Sequence, residues 1–159
     1  MSQFTFHCAS GVLASALLAG CGDMETPANV GRVSGRVTLE GQPLAEALVT
    51  FSPVEQGATS SLGRTDQDGN YTLVYAQGVE GAQIGQHRVS ITTFDEGDPD
   101  SDPPRPAVAE KVPAKYNYQT GLTADVKAGE NSIDFPLKND GPILAAPPEE
   151  PEASFDTCR

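Results

Sequence analysis

Apolar and polar residues alternate along the stretch from Arg32 to Glu40. Val33, Val37 and Leu39 fall on one parity with Gly35 between them, and Arg32, Ser34, Arg36, Thr38 and Glu40 fall on the other. That is the period of a half-buried β-strand. Ala47, Val49 and Phe51 repeat the pattern against Leu48, Thr50 and Ser52. With Gly41-Gln42-Pro43 between them, residues 35–53 (GRVTLEGQPLAEALVTFSP) predict two strands folded back on each other. One such hairpin does not hold together alone in water, so the remaining residues must supply a partner sheet.

Further strands follow at short intervals. Residues 54–61 form a small-residue loop, and Leu62–Thr65 a short strand. Asp66-Gln67-Asp68-Gly69-Asn70 then reads as a turn, because Asp-Gly between apolar alternations accepts φ > 0 without cost. It leads into a strand with Tyr71, Leu73 and Tyr75 on one face. After a Gly-rich loop over 77–85, His87–Phe94 places Val89 and Ile91 inward. Residues 95–106 combine five acidic positions (Asp95, Glu96, Asp98, Asp100, Asp102) with Pro99, Pro103, Pro104 and Pro106, and predict a mobile loop. Val112–Asn117 is extended and set by Pro113. Leu122, Ala124 and Val126 alternate, a Gly129-Glu130-Asn131 turn follows, and Ile133, Phe135 and Leu137 close the pattern, with Pro136 marking an edge or bulge. Residues 139–159, acidic and Pro-rich, predict a disordered tail. Seven short strands without a helix predict an all-β, seven-stranded antiparallel β-sandwich. Periodicity does not distinguish one connectivity from another.

Composition narrows the picture. The 159 residues hold 16 Gly, 13 Pro and no Trp, which suits short strands and tight turns. The formal net charge is −12, and every charged side chain follows Cys21. Such a surface repels nucleic-acid phosphates and anionic lipid, so nucleic acid is excluded as a partner.

The N-terminus stands apart. Gly11–Gly20 is small and apolar, the length of a secretory h-region and too short to span a bilayer. It ends Leu18-Ala19-Gly20-Cys21, which resembles the bacterial lipobox, L-[AS]-[GA]-C. The resemblance implies a lipoprotein signal peptide over 1–20, cleavage before Cys21, and lipid attachment on that thiol. Residues 21–30 then read as a tether. Acyl chains contribute about 0.8 kcal/mol per buried methylene, so two or three hold a protein on a membrane. Gly22 stands where an Asp would signal inner-membrane retention, which favours the outer membrane.

The middle of the chain resembles the carboxypeptidase-regulatory-like, or transthyretin-like, domain of small bacterial lipoproteins. The run G-x-V-T-x-x-G-x-P-L-x-x-A-x-V-x-F-x-P matches Gly35 to Pro53, with Glu46 where a Gly is common. T-D-x-x-G-x-Y-x-L matches Thr65 to Leu73, and G-x-x-x-V-x-I matches Gly85 to Ile91. V-P-x-K-Y-N matches Val112 to Asn117, and L-T-x-x-V-x-x-G-x-N-x-x-x-F-x-L matches Leu122 to Leu137. The resemblance covers residues 31–138 and implies a prealbumin-like Greek-key sandwich with no established activity.

Candidate chemistry is sparse. After Cys21 there remain one histidine, His87, and one cysteine, Cys158. His87 shares the inward parity of Val89 and Ile91 and is expected at the rim of the core. A catalytic histidine needs a positioned partner, and zinc needs more ligands than these, so no catalytic, metal or cofactor-binding residue is assigned. Asp66-x-Asp68-Gly69-Asn70 lacks the spacing and closing Glu of a calcium loop and reads as a turn. The acidic 95–102 loop offers at most weak calcium binding. Cys158, unpaired once Cys21 is acylated, offers a disulfide dimer. The expectation is a non-enzymatic, lipid-anchored binding or scaffolding module of the cell envelope. Its partners are the membrane through Cys21 and an envelope protein or polysaccharide. The alternatives are an envelope enzyme or an accessory to one, and a carbohydrate-binding module.

Overall fold

Ten residues of alternating burial, Val30–Leu39 (β1), run through the centre of one sheet, with Val30, Val33 and Val37 inward and Arg32, Ser34 and Arg36 outward. The structure, a computed structural model, describes residues 29–55 and 57–144. The segment expected to be a signal peptide, the expected lipid-attachment residue Cys21, and Cys158 lie outside the described residues. The strands that follow are Gln42–Pro43 (β2), Leu48–Pro53 (β3), Ser61–Arg64 (β4), Asn70–Thr72 (β5), Ala82–Gln83 (β6), Gly85–Thr92 (β7), Thr123–Val126 (β8), Glu130–Ser132 (β9) and Phe135–Leu137 (β10). Two single 3-10 turns, Ala76–Gly78 and Ala114–Tyr116, are the only helical pieces among the described residues. All seven strands read from the pattern are present; β2, β6 and β9 are added pieces of two or three residues.

The strands form an all-β sandwich of two sheets, one built around β1 and one ordered β4-β3-β7-β8. In the second sheet every pairing is antiparallel, and β3 lies beside β7 although four elements separate them in sequence. In the first, β2, β5 and β6 pair antiparallel with β1, whereas β9 and β10 pair with it in parallel. The parallel contacts arise because the chain crosses from β8 back to the start of β1 before running alongside it.

The expected hairpin over 35–53 is replaced by a crossover. β1 and β3 lie in opposite sheets. After Leu39, Glu40 and Gly41 take φ of 51° and 79° and turn the chain only far enough for β2. Leu44 N–H still bonds to Val37 at 3.1 Å, and Glu46, at φ 59°, then turns the chain toward the other layer. Thr65 locks this corner: its Oγ1 donates to the Leu44 carbonyl at 2.6 Å and accepts from Ala47 N–H at 2.8 Å. Alternation is the same for strands paired edge to edge or stacked face to face, so the pattern could not separate these arrangements.

Val33, Val37, Val49, Phe51, Leu73, Val89, Ile91 and Phe135 belong to one buried cluster between the sheets. Phe51 meets Phe135 edge-on at 6.1 Å, and Phe135 stacks on Tyr71 at 6.2 Å, arrangements that favour aromatic pairs beyond their buried area. Tyr71 Oη donates to the Ile133 carbonyl at 2.7 Å, and burial pushes its phenol far above the usual range. At Gly35 the backbone approaches so closely that a β-carbon would collide with the Ile133 carbonyl oxygen. Residues 139–144, assigned to the tail by sequence, run on against the domain. Asn139 N–H bonds to Glu40 at 2.7 Å, the Pro142 carbonyl accepts from Ala114 at 2.8 Å, and Asp140 pairs with Lys115 at 2.6 Å.

Gly35→Ala should overpack the β1–β9–β10 crossing, costing about 2 kcal/mol and lowering the melting temperature by about 10 °C. Gly121→Ala, where a β-carbon meets nothing within 4 Å, should leave the thermal melt unchanged by circular dichroism.

Candidate functional site

The most heavily bonded side chain outside the strands is Glu110, which carries the first sign of a built feature. It lies buried between the end of β7 and the extended segment 110–117. Oε1 accepts from Thr93 N–H (2.9 Å), Thr93 Oγ1 (2.8 Å), Lys111 N–H (2.9 Å) and Val112 N–H (2.9 Å). Oε2 accepts from Thr92 Oγ1 and from Asn117 Nδ2, the latter at 3.0 Å. Burial alone would raise the carboxyl pKa; the donors from Thr92, Thr93 and Val112 outweigh it and hold the pKa below the usual carboxylate range. Sequence reasoning missed Glu110, because the segment has no alternation and an acidic residue beside Lys111 reads as surface.

This carboxylate positions a surface. Asn117, held by Glu110 and by the Val112 carbonyl at 3.2 Å, accepts from Tyr118 N–H at 2.6 Å. Thr120 Oγ1 then donates to the Val89 carbonyl at 2.6 Å and pins the segment onto β7. Tyr118, Gln119 and Thr120 thus form one wall of a shallow groove of about 480 Å³ on the outer face of the second sheet. Its floor is Ser52, Arg88 and Ser90, placed there by the pairings Ser52↔Arg88 and Thr50↔Ser90 between β3 and β7. Arg88 is exposed and takes part in none of the ion pairs among the described residues. The groove therefore offers hydroxyls, an amide, one guanidinium and a half-buried tyrosine.

His87 sits deeper than the rim expected from sequence, only 1% exposed and tilted against Phe51 at a centroid distance of 5.8 Å. Nδ1–H donates to the Gly85 carbonyl at 3.0 Å, leaving Nε2 as the lone-pair nitrogen, buried and without a partner among the described residues. Burial lowers its pKa, so the imidazole is neutral in the fold. Beside it a second cleft of about 430 Å³ opens at the end of the sandwich, ringed by Asn29, Val54, Ile84 and Gln86.

The other sequence candidates are occupied structurally. Asp66 accepts from Asp68 N–H (2.9 Å) and Asn70 N–H (2.8 Å), which is the turn reading, and the Asn70 bond leads in lowering its pKa. The 95–106 loop, expected to be mobile, is a hairpin-like loop closed by bridges Asp95↔Val108 and Asp98↔Arg105. Asp95 stands between Arg64 and Arg105, each at 3.5 Å, so Coulomb attraction and backbone pairing order a segment that hydrophobicity could not. Among the described residues no three His, Cys, Asp or Glu side chains group as metal ligands. No described helix is long and apolar enough to cross a membrane.

No family model and no curated protein matches the chain. Among solved structures it is similar to a DUF3823 family protein from Parabacteroides merdae, at 18% identity and a TM-score of 0.38. The match covers 70% of this chain and 46% of that one, so the chain spans about half the length of this neighbour.

Two acid-side losses of stability are expected, both because the folded pKa lies below the unfolded one. His87 costs nothing at high pH; its penalty grows as pH falls below the unfolded value of 6.5 towards the lowered folded value. Glu110 contributes fully above its unfolded value of 4.5 and loses that contribution as pH falls through its lowered folded value. In chemical denaturation across pH, His87→Leu should remove the first step and keep the second. Glu110→Gln should cost about 2–3 kcal/mol at neutral pH and shrink the second.

Proposed function

We propose that the chain is a non-enzymatic binding module of the cell envelope, held by acyl chains on Cys21 and recognising a hydroxyl-rich polymer, an envelope polysaccharide, in the groove over β3 and β7. The anchor rests on the Leu18-Ala19-Gly20-Cys21 motif after an apolar run, and Gly22 favours the outer membrane.

The observation that carries the binding reading is where the ionisable groups are committed. The buried carboxylate of Glu110 is saturated by donors from its own chain, and the buried imidazole of His87 lies beneath Phe51 rather than in the groove. The groove is lined by no carboxylate and no histidine, so the site is equipped to hold a ligand rather than to activate one. The Ser52 and Ser90 hydroxyls, the Gln119 amide and the Arg88 fork match the donors and acceptors of sugar hydroxyls, with the Tyr118 ring as an apolar face. The net charge of −12 disfavours polyanions and leaves neutral saccharides as the better partners.

Cys21→Ala should move the protein from the membrane to the soluble fraction on cell fractionation; a variant that stays membrane-bound overturns the anchor. With that soluble variant, Arg88→Ala and Tyr118→Ala should each weaken binding of envelope polysaccharide fragments by about tenfold in calorimetric titration, about 1.4 kcal/mol. Their thermal melts should be unchanged. Affinity in both variants unchanged from that of the parent, or release of shortened saccharides, would overturn the binding reading.

A further inference from the structure

The two ends of the sandwich differ in kind. At one end the chain enters the domain: Asn29 accepts from Ile84 N–H at 2.8 Å, Val30 pairs with Gln83, and β3 finishes at Pro53 opposite His87. Here two large apolar side chains stand in solvent, Val54 at 60% and Ile84 at 43% exposure, on the rim of one cleft. Glu55, Glu80 and Glu130 are balanced in part by Arg32 and Lys127, with Arg32 3.9 Å from Glu130. At the other end, where β3 begins opposite Thr92, the connections carry Glu40, Glu46, Asp66 and Asp68. The Asp95–Val108 loop also leaves from that end and adds its carboxylates there.

We infer that the sandwich stands on the membrane with the cleft end down, Val54 and Ile84 resting in the lipid headgroup layer and the acidic end pointing away. The inference rests on the proposed acylation of Cys21. From Cys21 to Asn29 is eight steps along the chain, a reach of at most about 29 Å fully extended and about 16 Å on average for a flexible chain. The ten residues of β1 alone span about 30 Å between the two ends. If the acidic end touched the bilayer, Asn29 would stand farther from it than this tether reaches. Leu62 and Val74, bridged to each other, are exposed to a similar degree away from the cleft, but Val54 and Ile84 share the cleft with Asn29, where the tether enters, and so select the cleft-down pose over one lying on a side. It buries apolar surface in the interface and keeps the larger group of carboxylates, those of the opposite end, clear of anionic headgroups, while Arg32 and Lys127 partly offset the acids at the cleft end.

The test uses the mature, acylated full chain carrying Cys158→Ser, purified and reconstituted in phosphatidylcholine vesicles containing a lipid-borne spin-label quencher. A fluorophore is attached at Val54→Cys or at Asp100→Cys, both exposed positions. In vesicles recovered by flotation, the label at 54 should be quenched about twofold or more relative to the label at 100, as headgroup-depth burial requires. Equal quenching overturns the orientation and leaves the anchor standing. A label at 54 shielded from both lipid and aqueous quenchers means a second copy covers the cleft end, and the inference fails. Protein that does not float with the vesicles sinks the anchor and the orientation together.

Discussion

Two apolar strand faces, Val33 and Val37 of β1 and Val49 and Phe51 of β3, share one buried cluster, and the rest of the sandwich follows from where this leaves their backbones. Neither strand can satisfy its hydrogen bonds with the other across the core, so each must recruit partners in its own layer. β1 takes β2, β5 and β6 in antiparallel pairings and β9 and β10 in parallel; β3 takes β4 and β7. The close approach at Gly35 and the aromatic contact from Phe51 through Phe135 to Tyr71 are the packing cost and gain of this arrangement.

The same need to satisfy buried polar groups explains Glu110, the one acidic side chain buried among the described residues. A segment leaving β7 and returning along it cannot pair as a strand while Pro113 interrupts it, and its amides need other acceptors. Glu110 supplies them, binding Lys111 and Val112 amides beside Thr93 and Asn117. Charge-assisted hydrogen bonds of this kind are stronger than neutral ones, which offsets the cost of removing a carboxylate from water. The consequence for the groove is indirect but specific: Asn117 and Thr120 fix the wall that faces Arg88 across it.

Charge is distributed along the long axis rather than evenly. The acidic loop after β7, ordered by Arg64 and Arg105 around Asp95, is remote from the point where the chain enters at Asn29. The groove over β3 and β7 lies on the outer face of the second sheet.

The sequence by itself determined seven of the strands but not the short β2, β6 and β9, the last of which includes Glu130 and Asn131 of the expected turn. Period-two alternation places Val37, Val49, Tyr71, Val89 and Phe135 inward with no knowledge of partners, because a strand's facing is a local property of the pleat. The Asp66–Asn70 turn was equally legible, since its hydrogen bonds close within five residues. Tertiary structure alone decided which strands share a sheet, and so turned an apparent 35–53 hairpin into a crossover between layers. It decided that Glu110 is buried and that His87 is enclosed rather than peripheral, since burial depends on residues brought together from distant parts of the chain. The groove is of the same kind: Ser52, Arg88 and Tyr118 carry no joint signal in sequence and meet only when β3, β7 and the segment after Asn117 are docked.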